Sequence, residues 1–326
     1  MPEAGKTKTD LKGTPKIAGL KSILPERTDR IYIIGADSFL GIHFAMHWFA
    51  HDHAVDGCGK SQSAVSFPGQ YSVSDYRGWN IPDKNYSWLM LCHDPRTGYE
   101  EHIALIRSLC EYLLLDKRSI RICYLSSAAI CASSGRAIRE TTGISPHNAL
   151  EATIASAEHW LQAYCCQSDG RLLPFIFRLG DIYGNELGIA PACGGLINRY
   201  IRDAIAEKTL SIPGLGNTYR SLSHIGDVCE AVIQLMTTDV PPHCVNIPGE
   251  RYSMIDIAVA VSERFGNEIS MSDGNEFGDD YSPCGGHRNL SGSLFKKIVN
   301  FTPTHSFKKW LTSVPAPADL GQDGIT

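Results

Sequence analysis

Apolar and polar positions fall into alternating blocks along this chain of 326 residues. From Arg30 the run IYIIG (31–35) sets β-branched residues against a glycine, the pattern of a short strand buried on both faces of a parallel sheet. ADSFLGIHFAMHWFAHD follows with apolar residues at helical spacing. Further strands are predicted at SWLMLC (87–92), SIRICYL (119–125) and LPFIFR (173–178), with helices over 100–115 and 148–167 between them. Strands alternating with helices of that length imply an α/β fold, a doubly wound parallel sheet covered on both faces. After Gly184 the pattern loosens. Helices are predicted over 196–207, 228–236 and 253–265, with a strand-like HCVNIP and a polar, glycine-rich stretch over 267–288.

The strand, glycine-bounded turn and helix at 31–52 form the opening of a Rossmann-type dinucleotide-binding fold. Three parts are therefore expected. Residues 1–29 form a mildly basic, flexible tail; residues 30–184 form the dinucleotide-binding domain. Residues 185–326 form a smaller C-terminal α/β substrate lobe, with excursions of the chain back to the sheet. Composition agrees: 43% apolar and 20% charged residues exclude global disorder. Thirty Lys and Arg against 35 Asp and Glu leave a formal charge of -5, which argues against nucleic acid as a partner. No apolar run reaches the roughly 18 residues of a membrane span, and no signal-peptide pattern opens the chain, so a cytoplasmic, membrane-free location is expected. The 11 cysteines are scattered, include the adjacent Cys165 and Cys166, and never form a C-x-x-C. Reduced, mostly buried thiols are expected rather than disulfides or a zinc site, and no metal is expected.

The turn IIGADSFLG carries Gly35 and Gly41, with Ser38 between them and Phe39 and Leu40 opening the helix. It resembles the TGaxGFiG turn of the extended short-chain dehydrogenase/reductase family, which includes nucleotide-sugar epimerases and dehydratases. Ser38 then replaces the middle glycine, and its hydroxyl is a candidate donor to a phosphate, so binding is expected to be weakened rather than abolished. The resemblance continues through YLSSAAICA (124–132), RLGDIYG (178–184), IPGLGNTYRSLSHIGDVCEAV, VNIPGERYSMIDIA and the closing NLSGSLFKKIVNFTPTHSFKKWL.

Family chemistry uses a Tyr acid/base with a Lys four residues later, since positions i and i+4 share a helix face. Here PHNALEATIASAEHW (146–160) aligns through Pro146 and Glu158, and it puts Leu150 at the Tyr position and Ile154 at the Lys position. None of the 13 tyrosines has a lysine four residues on. Ser127 matches the family's catalytic Ser or Thr. Losing one acid/base group costs about 100- to 10,000-fold in rate, and here two coupled groups are replaced by apolar ones. The customary hydride chemistry is therefore not expected.

Other positions implied by the resemblance drift the same way. Gly59 stands where an acid would hold a ribose 2'-hydroxyl; Lys60 and Ser61 follow it and suit a 2'-phosphate, so NADP(H) is expected over NAD(H). Asp75 matches the acid near the adenine, and LCHD (91–94) puts Cys92 at the cofactor edge. His102 and Leu105 replace a following Asn and Gly. On the substrate side Asp181 replaces an Asn, where a carboxylate would repel a diphosphate by a few kcal/mol at an effective dielectric of about 20. Arg220 and Arg288 are the candidate phosphate-binding cations. His147 with Glu151, and Asp94 beside His93, are candidate replacement acid/base groups. His43, His47 and His51 share a helix face and are read as structural. Three functions remain open. The first is a small-molecule-binding protein, with a nucleotide-sugar as candidate ligand, that runs a non-redox elimination, isomerisation or cyclisation. The others are an inert NADP(H)-binding sensor or partner subunit, and a redox enzyme with a rebuilt proton relay. The first is favoured. A homodimer through the helices at 100–115 and 148–167 is expected from the resemblance.

Overall fold

The computed structural model describes residues 30–59, 73–75, 79–82, 84–133, 135–184, 195–238, 241–272 and 286–315. The tail over 1–29 and the pair Lys60 and Ser61 lie outside the described residues.

Seven strands form one sheet in the order β10-β6-β5-β4-β1-β2-β3, every neighbouring pair parallel. They are β1 (Arg30–Ile34), β2 (Ala54–Gly59), β3 (Val73–Asp75), β4 (Trp88–Leu91), β5 (Ile120–Ser127), β6 (Leu172–Leu179) and β10 (Cys244–Asn246). The expected α/β doubly wound sheet is borne out. After β1 the chain builds outward through β2 and β3, then returns to place β4 on the other side of β1. That reversal opens a crevice beyond the carboxyl ends of β1 and β4, where sheets of this kind bind ligands.

One face of the sheet is covered by α2 (Tyr99–Asp116) and α3 (Ala149–Cys166), over a core that includes Leu89, Leu109, Ile122 and Leu161. The other is covered by α1 (Phe39–Ala50) and α5 (Ile225–Met236), over Ile33, Phe44, Phe177 and Val232. A third core packs α4 (Leu196–Ile205) and α6 (Met254–Phe265) over the short strands β8 (Leu210–Pro213) and β12 (Ile269–Ser272). Beside it, β7 (Asp181–Tyr183), β9 (Tyr219–His224) and β11 (Glu250–Ser253) make a three-stranded sheet. Two short helices, α7 (Phe295–Ile298) and α8 (Phe307–Ser313), close the described chain. Strand β10 leaves this later region and pairs with β6, so Cys244, Val245 and Asn246 extend the main sheet.

Helix α3 forms because Leu150, Ile154, Ala157, Leu161 and Cys165 recur at spacings of three and four, and because Asn148 caps it by accepting the Glu151 amide. Its place is set by a buried ion pair. Glu158 on α3 receives Arg178 of β6 through Nε at 3.0 Å and a terminal nitrogen at 2.7 Å, and accepts the Ser126 hydroxyl of β5 at 2.5 Å. All three residues are buried. Burial pushes the Arg178 guanidinium down, but the Glu158 carboxylate more than offsets this and holds it above its usual range. At the opposite end of the sheet, Asp56 of β2 receives Arg30, Lys84 and the Tyr86 hydroxyl at 2.7, 2.9 and 3.0 Å.

Glu158→Ala leaves a buried guanidinium without its partner and is expected to cost about 3–5 kcal/mol, read as a lowered midpoint in urea unfolding. Replacing Glu158 and Arg178 together by Leu and Met should recover most of that loss. Burial raises the Asp56 carboxyl, and its bonds to Lys84, Arg30 and Tyr86 outweigh burial and hold it below the ordinary range. A depressed folded-state pKa stabilises above the unfolded value, and that stability is lost as pH falls through the folded value. Thermal unfolding of the native chain should therefore weaken below about pH 4, and Asp56→Asn should flatten that acid limb.

Candidate functional site

The β1 turn is built by two close approaches. Gly35 has φ +78°, and a Cβ there would lie 2.6 Å from the His93 amide nitrogen. A Cβ on Gly41 would run into the Gly35 carbonyl, so α1 packs against the turn only with glycine at that place. The Gly35 and Ala36 amides both donate to the Cys58 carbonyl of β2, at 2.8 and 3.0 Å. Ser38 sits between them as the N-cap of α1: its oxygen accepts the Gly41 amide at 3.0 Å and its hydroxyl donates to the Cys92 carbonyl at 2.7 Å. The expectation that this hydroxyl faces a phosphate is thus corrected, because its proton already ties the turn to the end of β4. The amides of Phe39 and Leu40 belong to the first helical turn, whose N–H groups have no carbonyl within the helix. These residues fit the pyrophosphate of a dinucleotide, with Gly35 and Gly41 keeping the cradle a Cβ would fill.

A cavity of about 520 Å³ opens from this turn across the carboxyl ends of β4, β5 and β6 to α4. Ser38, Phe39, Leu40 and Cys92 line one side, Ser126, Ser127, Leu150 and Ile154 the floor, and Asp181, Arg199 and Arg202 the far side. Leu150 and Ile154 therefore occupy the cavity wall without closing it. Ser127 faces the cavity, with its Oγ accepting the Ala129 amide at 3.1 Å. Burial pushes the Cys92 thiol well above its usual range, which keeps it protonated.

The other candidates divide. Asp94 lines the cavity, but it caps a turn and holds Arg96 through Oδ1 at 3.0 Å and Oδ2 at 2.6 Å. Burial raises its carboxyl, and the Arg96 guanidinium and amide outweigh burial and hold it below the carboxylate range. His147 is exposed and is not among the cavity residues; only its backbone amide meets Glu151, at 2.7 Å. The Glu151 carboxylate is buried and bound to the Arg288 guanidinium, so the acid/base couple and the second phosphate arginine resolve into an internal ion pair between α3 and the later lobe. Arg220 is buried on β9, 3.8 Å from Asp181, and is likewise not among the cavity residues. Asp75 stands in register with Gly59 on the neighbouring strand.

The pairing of His93 with His102 carried no signal in local sequence. His93 lines the cavity, and its Nδ1 lies 3.0 Å from Nδ1 of His102, whose Nε2 lies 3.2 Å from the Tyr124 hydroxyl. Burial, and then the charge of His93, push His102 down to about 3, so it is neutral near pH 7. The two facing Nδ1 atoms then share one proton. Tyr124 donating to His102, and His102 to His93, puts a proton on His93 Nε2, 3.7 Å from Glu101. The pair was visible only as two histidines at places where family members carry other residues. Arg96 reaches the cavity from the turn after β4, and Arg199 and Arg202 reach it from α4.

His43 is buried, with Nδ1 on the Phe39 carbonyl at 2.8 Å, while His47 and His51 both reach Glu230 of α5. Among the described residues no group of three or more His, Cys, Asp or Glu could hold a metal ion. The nine described cysteines are free thiols, seven of them buried. A smaller cavity of about 200 Å³ lies between α5 and the closing segment, where Asp227 holds the Thr304 and His305 amides at 3.0 Å.

Residues 92–248 match the model of the NAD dependent epimerase/dehydratase family. A curated relative, dTDP-4-dehydro-6-deoxy-D-allose reductase from Streptomyces bikiniensis, is 28% identical over 132 residues, 40% of this chain and 38% of that enzyme. The chain thus matches under half the length of that relative. Among solved structures, MoeE5 in complex with UDP-glucose and NAD superposes with a TM-score of 0.71 at 19% identity, covering 86% of this chain and 96% of that one. UDP-glucuronic acid 4-epimerase from Bacillus cereus, in complex with UDP-glucuronic acid and NAD, gives 0.68 at 18%, covering 86% and 96%. dTDP-glucose 4,6-dehydratase from Bacillus anthracis, in complex with NAD, gives 0.69 at 17%, covering 87% and 94%. At such identities the structures establish a common fold. Residues 92–248 are thus similar to the NAD dependent epimerase/dehydratase family, and the chain shares the fold of these solved structures.

Proposed function

We propose that this chain binds a nicotinamide dinucleotide and a nucleotide-sugar in the cavity between the β1 turn and α4, and that it does not run hydride transfer through a Tyr and Lys pair. The observation that carries the reading is that Leu150 and Ile154 line the same cavity as Ser127, Phe39 and Leu40. The cavity joins the β1 turn to a floor that includes the apolar Leu150 and Ile154. When bound, a nicotinamide ring supplies an acceptor and donor of hydride. Leu150 has no proton to exchange with a sugar hydroxyl, and Ile154 has no charge to stabilise an alkoxide. Ser127 can orient a substrate oxygen, and Asp94, held as an anion by Arg96, can orient a hydroxyl. These support a non-redox elimination, isomerisation or cyclisation.

One observation favours a second reading, a dinucleotide-binding sensor or partner subunit. Asp94 is bound to Arg96, Glu151 to Arg288, and Asp181 lies beside Arg220, so the ionisable groups near the floor already have charged partners. The redox alternative would need His93 in place of His147 as its proton carrier. For the cofactor, Lys60 and Ser61 argue for NADP(H), whereas Asp37, which lies over Gly59, argues against a 2'-phosphate. Among the described residues no helix is long and apolar enough to cross a membrane. The free thiols support a cytoplasmic location. The exposed Tyr99, Leu115 and Trp160 on α2 and α3 support a homodimer through those helices.

Calorimetric titration is expected to show binding of UDP-glucose and of at least one dinucleotide. Leu150→Trp, which fills the floor, should weaken UDP-glucose at least about tenfold without lowering the melting temperature. Absence of binding by UDP-glucose and by all four of NAD, NADH, NADP and NADPH would sink the reading. Incubation with UDP-sugars followed by NMR of the mixture separates the two versions: a changed sugar at constant dinucleotide absorbance supports catalysis, and an unchanged sugar supports the sensor.

A further inference from the structure

The last residue of β2 is Gly59, so the strand end carries no side chain of its own to meet a ribose. The turn after β1 lies directly against it. Because the Gly35 and Ala36 amides are both bound to the Cys58 carbonyl, the next residue, Asp37, is carried over Gly59. A Cβ at Gly59 would lie 2.9 Å from Oδ2 of Asp37 and nearer still to Oδ1. The half-buried carboxylate thus fills the space that the first atoms of a strand-end side chain would take. Any larger residue at Gly59 would displace the Asp37 carboxylate. On the other side, Asp75 stands in parallel register with Gly59.

Resting on the reading that a nicotinamide dinucleotide occupies the β1 turn, we infer that Asp37 is the specificity-determining residue for that cofactor, selecting NAD(H) over NADP(H). In a fold of this kind the adenosine ribose lies at the carboxyl end of β2, where an acid accepts the 2'- and 3'-hydroxyls. Here the acid is delivered from the turn rather than from the strand, at the same end of β2. A carboxylate accepts the donors of an unmodified ribose, whereas a 2'-phosphate has only acceptors and brings like charge. The inference reverses the preference that Lys60 and Ser61 suggest in the sequence.

The test is calorimetric titration of the full chain with NADH and NADPH, with melting temperature as the check on folding. The native chain is expected to bind NADH roughly tenfold to hundredfold tighter than NADPH, the range of one hydrogen bond to a charged group. Asp37→Ala should bring the two affinities within a factor of about three. Gly59→Ala, which leaves Asp37 in the sequence but displaces its carboxylate, should do the same. Asp37→Ala combined with Gly59→Asp should restore the preference by returning a carboxylate to the strand end. Tighter NADPH binding that is lost in Lys60→Ala would overturn the inference, as would an NADH preference that Asp37→Ala leaves intact. Either of those results keeps the cofactor reading itself. No binding by either nucleotide overturns both.

Discussion

The geometry of the cavity depends on one buried ion pair. Glu158 and Arg178 come from a helix and a strand that meet only in the folded chain, and the Ser126 hydroxyl completes the set from a second strand. Two charges taken out of water are costly to bury, and they are tolerated only where geometry and further hydrogen bonds compensate. That requirement allows α3 little freedom to rotate or slide on the sheet. With Glu158 fixed, Ile154 lies about one turn and Leu150 about two turns towards the N-terminus, and they line the cavity on which Ser127 also opens. The ion pair on α3 thus fixes which side chains of that helix the cavity presents.

A second consequence concerns charge. Here Arg288 closes on Glu151, Arg220 lies beside Asp181, and Asp94 takes Arg96. Each pairing lowers the cost of burying charge. The cationic side of the cavity passes instead to Arg199 and Arg202 on α4. These cations share the cavity with the apolar Leu150 and Ile154.

Much of the fold was legible because burial on both faces gives β1, β4, β5 and β6 near-continuous apolar runs, and because α2 and α3 carry apolar residues at helical spacing. The short strands of the later region were not. In β9, Arg220, Ser221, Ser223 and His224 are buried polar residues, and Ser221 and Ser223 donate to Asn289 and the Pro248 carbonyl, partners that no local pattern announces. The floor was legible through the resemblance, which puts Leu150 and Ile154 at the Tyr and Lys positions. The pairings were not, since Glu151 meets Arg288 across 137 positions and His93 meets His102 only through the packing of α2. Ser38 was placed correctly in the turn, but its role was misread, because the Cys92 carbonyl that takes its proton lies 54 residues away. His147 was misjudged for a related reason: a helix start fixes the direction of its amide, and leaves the ring in solvent.

We propose a cavity that holds its ligands and lacks the pair that would couple them by hydride. Single-turnover mixing of the chain, loaded with stoichiometric dinucleotide, against a panel of UDP- and dTDP-hexoses tests it most directly. The account predicts no rise of reduced nicotinamide absorbance in the native chain, under conditions where calorimetry shows the cavity occupied. Reduction of the bound dinucleotide by any of these sugars at the rate of an ordinary epimerase would contradict it, and would require a proton carrier other than Leu150 and Ile154.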